Sequence, residues 1–161
     1  MVLKLSTAQL AAIRSHAEST YPEECCGLFL GYIKGSEKMV VEVWPSENVY
    51  NSQTTVEFFS SPSLTKRHRY VIEPKILLKA QKEARERQQA VIGFYHSHID
   101  SSAVPSECDR EYAWPIYSYL IISVHQGQTV AERSWCLDDN RQFQPEEILY
   151  LSPATIKLDN L

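Results

Sequence analysis

No stretch of this 161-residue sequence approaches the ~20 consecutive apolar residues that a membrane-spanning helix needs. Its opening Met-Val-Leu-Lys-Leu-Ser-Thr contains no apolar h-region, so no secretory leader is expected and the protein is placed in the cytoplasm. The Cys-x-x-Cys spacing of zinc ribbons is absent. The four cysteines stand at 25, 26, 108 and 136. Neighbours such as Cys25 and Cys26 do not belong to an ordinary disulfide framework, which leaves reduced thiols as the expectation. An excess of positive charge is missing as well. A net charge of −4 and a pI near 5.7 exclude a general nucleic-acid binder, and the basic run Lys66-Arg67-His68-Arg69 is expected to be a solvated loop. Repeats, linkers and low-complexity segments are also lacking. With 43% hydrophobic and 22% charged residues, residues 1–161 are expected to form one domain around one core.

What is present reads as alternating helices and strands. Ser6-Thr-Ala-Gln9 is a capping box, with Leu5 and Leu10 placed as a hydrophobic staple, and predicts a helix to about Ser19 that buries Leu10, Ile13 and Ala17. Residues 23–33 predict a buried strand, 34–37 a hairpin turn and 39–44 its antiparallel partner. Residues 48–62 are polar and irregular, with a short edge strand or flap expected near 56–59. Pro74 suits the first turn of a second helix with Ile76, Leu77, Ala80 and Ala84 on its buried stripe. Glu83 and Arg87 form an i,i+4 pair on its wet side. Further strands are expected at 119–124 and 129–137, followed by a turn at 138–141 and a short strand near Phe143. The tail from Pro145 is expected to hold a helical turn and then an extended Leu149-Tyr150-Leu151. This order predicts an α/β domain with one curved, mixed sheet flanked by helices.

The chemistry concentrates in residues 91–111. An apolar strand there ends at His96-Ser97-His98, and side chains two apart on a strand share a face. Pro105-Ser106 then opens a helix with Asp109 in its first turn. Two imidazoles and a carboxylate are a ligand set suited to zinc, with a fourth position left open for water. Taken separately, each half has a plainer meaning. His-x-His on a strand is commonly packing or surface, and Ser-x-x-Asp is a common helix start. Cys108, adjacent to Asp109 on the helix, is expected to point elsewhere and to be structural. His16, His68 and His125 lie outside the constellation.

The combined pattern is more specific. His96-Ser-His98, seven residues, Ser106, two residues and Asp109 resembles the complete signature of the JAMM (MPN-plus) zinc metalloproteases, and the resemblance covers roughly residues 6–137. It implies a JAMM/MPN architecture, related to that of the cytidine deaminases, and one Zn²⁺ per chain on His96, His98 and Asp109. It also implies a general base on the early strand in a Glu-x-Cys-Gly frame. That frame matches Glu24-Cys25-Cys26-Gly27 and selects Glu24 over Glu23, which strand alternation would put on the opposite face. Ser106 would donate its hydroxyl to the developing oxyanion. The expected activity is peptide or isopeptide hydrolysis after the C-terminal Gly-Gly of a ubiquitin-like protein. The chain resembles the compact prokaryotic members, so the tail of a small sulfur-carrier protein is the expected substrate. Ile99 departs from the pattern, because relatives usually have proline there. Three other readings compete with this one. A zinc deaminase would need His-x-Glu and Pro-Cys-x-x-Cys, and neither occurs. A metal-free MPN scaffold would have lost ligands that are intact here. A zinc peptidase or amidase acting on small peptides is the third.

Overall fold

The computed structural model describes residues 1–51 and 65–153, so the strand expected near 56–59 lies outside the described residues. The elements are β1 (Val2–Ser6), α1 (Thr7–Thr20), β2 (Cys26–Lys34), β3 (Glu37–Ser46), α2 (Pro74–Glu86), β4 (Ala90–Ile99), α3 (Glu107–Tyr112), β5 (Ser118–His125), β6 (Gln128–Leu137) and β7 (Phe143–Leu151). The capping box forms: Ser6 Oγ accepts from the Gln9 N–H at 3.0 Å, and Gln9 Oε1 accepts from the Ser6 N–H at 2.8 Å. Leu10, Ile13 and Ala17 are the buried residues of α1. In α2, Pro74 starts the helix and Ala80 and Ala84 are buried, with Ile76 and Leu77 partly so. Arg87 pairs with Glu83 at 3.1 Å and also with Glu42 of β3. None of the described helices is long and apolar enough to cross a membrane.

The mixed sheet is present and goes further than expected, closing into a barrel in the order β1-β3-β2-β4-β5-β6-β7. The closing strand is β1, which the sequence reading did not assign. It pairs in parallel with both β3 and β7. The expected helical turn after Pro145 is replaced by β7, which runs unbroken from Phe143 to Leu151. Pro145 sits opposite Trp135 of β6, and pairing with β1 begins only at Glu147. The strand is therefore locally an edge there, where a missing N–H is tolerated.

Both faces of the central strands are covered, which explains their continuous apolar runs. Phe29, Ile92, Tyr95, Leu120 and Ile122 pack with Ile13 and Ala17 of α1. Leu28, Leu30 and Val91 pack with Ala80 and Ala84 of α2. The β2–β4 register shifts between the Phe29–Gly93 and Leu30–Val91 pairs. Beyond that shift Tyr95 belongs to the α1 side and Phe94 to the α2 side. His96 and His98, in step with Phe94, are thereby turned towards the α2 face.

The barrel also carries a buried polar network that the sequence reading missed. Lys38 of β3, only 1% exposed, donates to Ser118 Oγ of β5 at 3.0 Å. Ser118 in turn donates to Glu146 Oε1 of β7 at 3.0 Å, and Ser134 of β6 donates to Oε2 at 2.7 Å. Four strands are tied by one chain of hydrogen bonds.

Candidate metal centre

His96 and His98 project from the end of β4, and Asp109 sits in the first turn of α3. Ser106 caps that helix: its Oγ accepts from the Asp109 N–H at 3.1 Å, and its own N–H donates to Asp109 Oδ2 at 2.7 Å. The cap thus fixes the rotamer of the carboxylate as well as the helix start. His98 Nδ1 lies 2.8 Å from the Ser102 carbonyl. A carbonyl can only accept, so Nδ1 carries a proton and Nε2 is left as the ligating nitrogen. That Nε2 is 3.1 Å from His96 Nε2 and 3.3 Å from Asp109 Oδ2. Asp109 Oδ1 is 3.3 Å from His96 Nε2.

Burial pushes His96 below the usual histidine range, towards the neutral imidazole. Burial also opposes the charge on Asp109, but the two imidazoles and the Ser106 N–H outweigh it and hold the carboxyl well below the usual range. One ligating atom from each of His96, His98 and Asp109 lies within 4.8 Å of the other two. Two imidazoles with one carboxylate are a donor set that fits a divalent ion such as zinc. His96 Nδ1 is buried with no hydrogen-bond partner. Its ring is held instead by the face of Tyr70, stacked at 4.5 Å between centroids.

Glu24 does not lie on β2 as expected; it belongs to the irregular segment just before Cys26. The reason is that its backbone partners lie outside the ladder. The Glu24 N–H donates to the Lys66 carbonyl at 2.8 Å, and the Cys25 N–H donates to Ser97 Oγ at 2.8 Å. Ser97, between the two histidines, thereby pins the Glu24 segment to β4. Gly27 permits the approach, since a Cβ there would run into the Tyr95 ring and the Trp44 carbonyl. The Glu24 side chain is 6% exposed. Burial first, then the Asp109 carboxylate, push it well above the usual range, while Arg69 pulls it back.

A second fastener is Asn48, which no local motif announces. Its Nδ2 donates to the carbonyls of Glu24 and Arg69, each at 3.0 Å, and its Oδ1 accepts from the Tyr50 and Val71 N–H groups. Asn48→Ala is expected to leave these buried groups unpaired, lowering stability by about 1–3 kcal/mol and reducing turnover by loosening Glu24. Urea denaturation alongside kcat checks this; an unchanged midpoint with unchanged kcat would contradict it.

Glu24 and Asp109 share the wall of one cavity of about 560 Å³, whose remaining lining is largely aromatic and aliphatic. Two expectations need correction here. Cys108 also lines this cavity, because the cavity wraps around the first turn of α3; burial pushes its thiol up to about 11, so it is protonated. The basic run is not simply solvated. Lys66 supplies the carbonyl for Glu24, Arg67 pairs with Asp100 at 3.4 Å, and His68 and Arg69 line the cavity. All four cysteines are free.

Comparison with known proteins agrees with this geometry. The family of prokaryotic homologs of the JAB domain matches residues 6–138. A desampylase from Haloferax volcanii is 31% identical over 134 residues, covering 83% of this chain and 84% of its own. A probable TtuB-protein conjugate cleaving protease from Thermus thermophilus is 29% identical over 140 residues, covering 81% and 82%. The solution structure of a Desulfitobacterium hafniense protein superposes with a TM-score of 0.72 at 28% identity, covering 94% of each chain. A JAB1/MPN domain protein from Archaeoglobus fulgidus shares the fold at a TM-score of 0.51 and 16% identity, covering 92% of this chain and 99% of its own. The chain belongs to the prokaryotic JAB (JAMM/MPN) family of hydrolases.

Proposed function

We propose that the protein, acting as one catalytic domain over residues 1–161 in the cytoplasm, is a zinc peptidase that hydrolyses the bond after the C-terminal Gly-Gly of a ubiquitin-like, sulfur-carrier-type protein. The observation that carries the chemistry is the convergence of His96, His98 and Asp109 on one point, with buried Glu24 on the same cavity wall as Asp109. The substrate class comes from the relatives, one named for cleaving TtuB-protein conjugates and another a desampylase. A scaffold would have no use for an acid buried beside a set of metal ligands.

His96, His98 and Asp109 would hold the zinc ion, which when bound supplies Lewis acidity to water and to the scissile carbonyl. The Ser102 carbonyl orients His98 through its Nδ1–H, and Tyr70 does the same for His96 by stacking. Glu24 accepts the proton of the attacking water and returns it to the leaving amine. The environment that raises its proton affinity suits a group that must hold the proton between the two transfers. Ser106 uses one lone pair of its Oγ in the cap, so its O–H is free to donate to the carbonyl oxygen as negative charge develops.

Ser106→Ala is expected to retain zinc, to lose about 1 kcal/mol with the cap and to fall ~10²–10³-fold in kcat. Metal analysis and steady-state kinetics check this; a kcat within a few-fold of the unaltered protein would remove Ser106 from the mechanism. The function itself is tested by mixing zinc-loaded protein with ubiquitin-like carriers that bear C-terminal extensions and weighing the products. Loss of everything after Gly-Gly, absent with Glu24→Gln, is the expected result. No release from any carrier would overturn the substrate assignment.

A further inference from the structure

The cavity beside Glu24 carries a feature that neither the donor set nor the proton relay uses. Among its lining residues, Arg69 has a buried Nε with no hydrogen-bond partner. Its Nη1 donates to the His68 carbonyl at 3.0 Å, and among the described residues it forms no ion pair with a carboxylate. The backbone around Arg69 is fixed, with its N–H on the Thr65 carbonyl and its C=O on Asn48 Nδ2. With Nη1 taken and Nε enclosed, Nη2 is the guanidinium nitrogen left to donate to a carboxylate entering the cavity that Arg69 lines. The same cavity is lined by Ile72, Leu77, Phe94, Trp114 and Tyr117. Tyr119 steadies that wall by accepting the Trp114 N–H at 2.8 Å.

A pocket of about 560 Å³ falls in the range that takes a small organic molecule. It holds one or a few residues but not a folded protein. Glu24, the group assigned to protonate the leaving amine, opens onto it, so the amine-bearing half of the substrate belongs there. A peptide that ends inside such a pocket ends in a free α-carboxylate. We infer that Arg69 is a specificity residue that binds the C-terminal α-carboxylate of the released residue, with an apolar or aromatic side chain against the cavity wall. The protein would then trim a terminal residue from a peptide-linked tail in preference to freeing a lysine side chain. The C–N bond breaks, the hydroxyl of water joins the carbonyl carbon, and the proton passing through Glu24 leaves on the amine. This inference rests on the peptidase reading above and decides which bond that peptidase prefers.

Two measurements separate its failure from failure of that reading. Zinc-loaded protein is given carrier tails ending Gly-Gly-Phe as the free acid and as the carboxamide. The free acid is expected to show at least about a tenfold higher kcat/KM, the scale of one charge-assisted contact. Arg69→Gln should abolish that preference and Arg69→Lys should restore part of it. In parallel, metal-free protein is titrated with L-phenylalanine and L-phenylalaninamide by calorimetry. The acid is expected to bind more tightly, and the difference should vanish in Arg69→Gln. Cleavage of both tails at equal rates would overturn the inference and leave the peptidase standing. Absence of cleavage with Arg69-dependent binding of the acid would support the carboxylate site and count against the peptidase. If Arg69→Gln slows acid and amide tails equally, Arg69 acts only through the charge of Glu24 and the inference fails.

Discussion

Glu24→Gln is expected to bind zinc as the unaltered protein does while hydrolysing its substrate ~10²–10⁴-fold more slowly. Glutamine matches glutamate in shape, so the hold of Ser97 and Asn48 on the neighbouring backbone survives. What disappears is the only atom pair able to accept a proton at that position. The folded metal-free protein offers an independent readout. Burial and Asp109 raise the Glu24 carboxyl well above its ordinary value of 4.5. A group whose folded pKa is raised contributes stability that is complete below the unfolded value and is lost as pH rises towards the folded one. Metal-free protein should therefore lose stability upwards of pH 4.5 through this group, and Glu24→Gln should lack that loss. Single-turnover rates, zinc content and denaturation across pH check the three parts. A variant as fast as the unaltered protein would mean that another group moves the proton.

Removing one partner from the barrel network is expected to be the most damaging single change to the fold. Lys38→Met or Glu146→Ala should lower stability by about 3–5 kcal/mol, on the order of 10 °C in Tm for a domain of this length. The reason is asymmetry. Lys38 is almost wholly enclosed and reaches Glu146 only through Ser118, so deleting either end leaves the other buried and held by neutral hydroxyl or thiol groups alone. Replacing both ends by apolar residues of similar volume should recover part of the loss, because only the hydroxyls of Ser118 and Ser134 then lose a partner. Urea midpoints for the two single variants and the double variant measure the coupling. Single variants within about 1 kcal/mol of the unaltered protein would show that the network carries little of the barrel's stability.

The readable parts of the sequence were those where a period or a cap acts locally. His96 and His98 share a face because a strand has period two, and Ser106 and Asp109 meet because a capping box brings them together. α1 and α2 announced themselves by Ser6-x-x-Gln9 and by Pro74. The unreadable parts depend on distant partners. β1 is only five residues long and is a strand because β3 and β7 flank it. Lys38 follows Glu37 in what looks like an ordinary polar hairpin shoulder, and barrel closure alone buries it. Pro145 argued against a strand, yet local edge geometry accommodates it. Asn48 and Arg69 sit in irregular segments where nothing in the local pattern marks them. Glu24 was identified through the resemblance of its Cys-Gly frame, and its true setting before β2 follows from hydrogen bonds to Lys66 and Ser97 that no spacing encodes.

The convergence of His96, His98 and Asp109 on a single divalent ion is tested most directly by titrating zinc into metal-free protein and into Asp109→Ala, with calorimetry and metal analysis of the dialysed products. One tightly held zinc per unaltered chain, reduced to none in Asp109→Ala, is the expected result. Zinc bound equally by both proteins, or by neither, would contradict it.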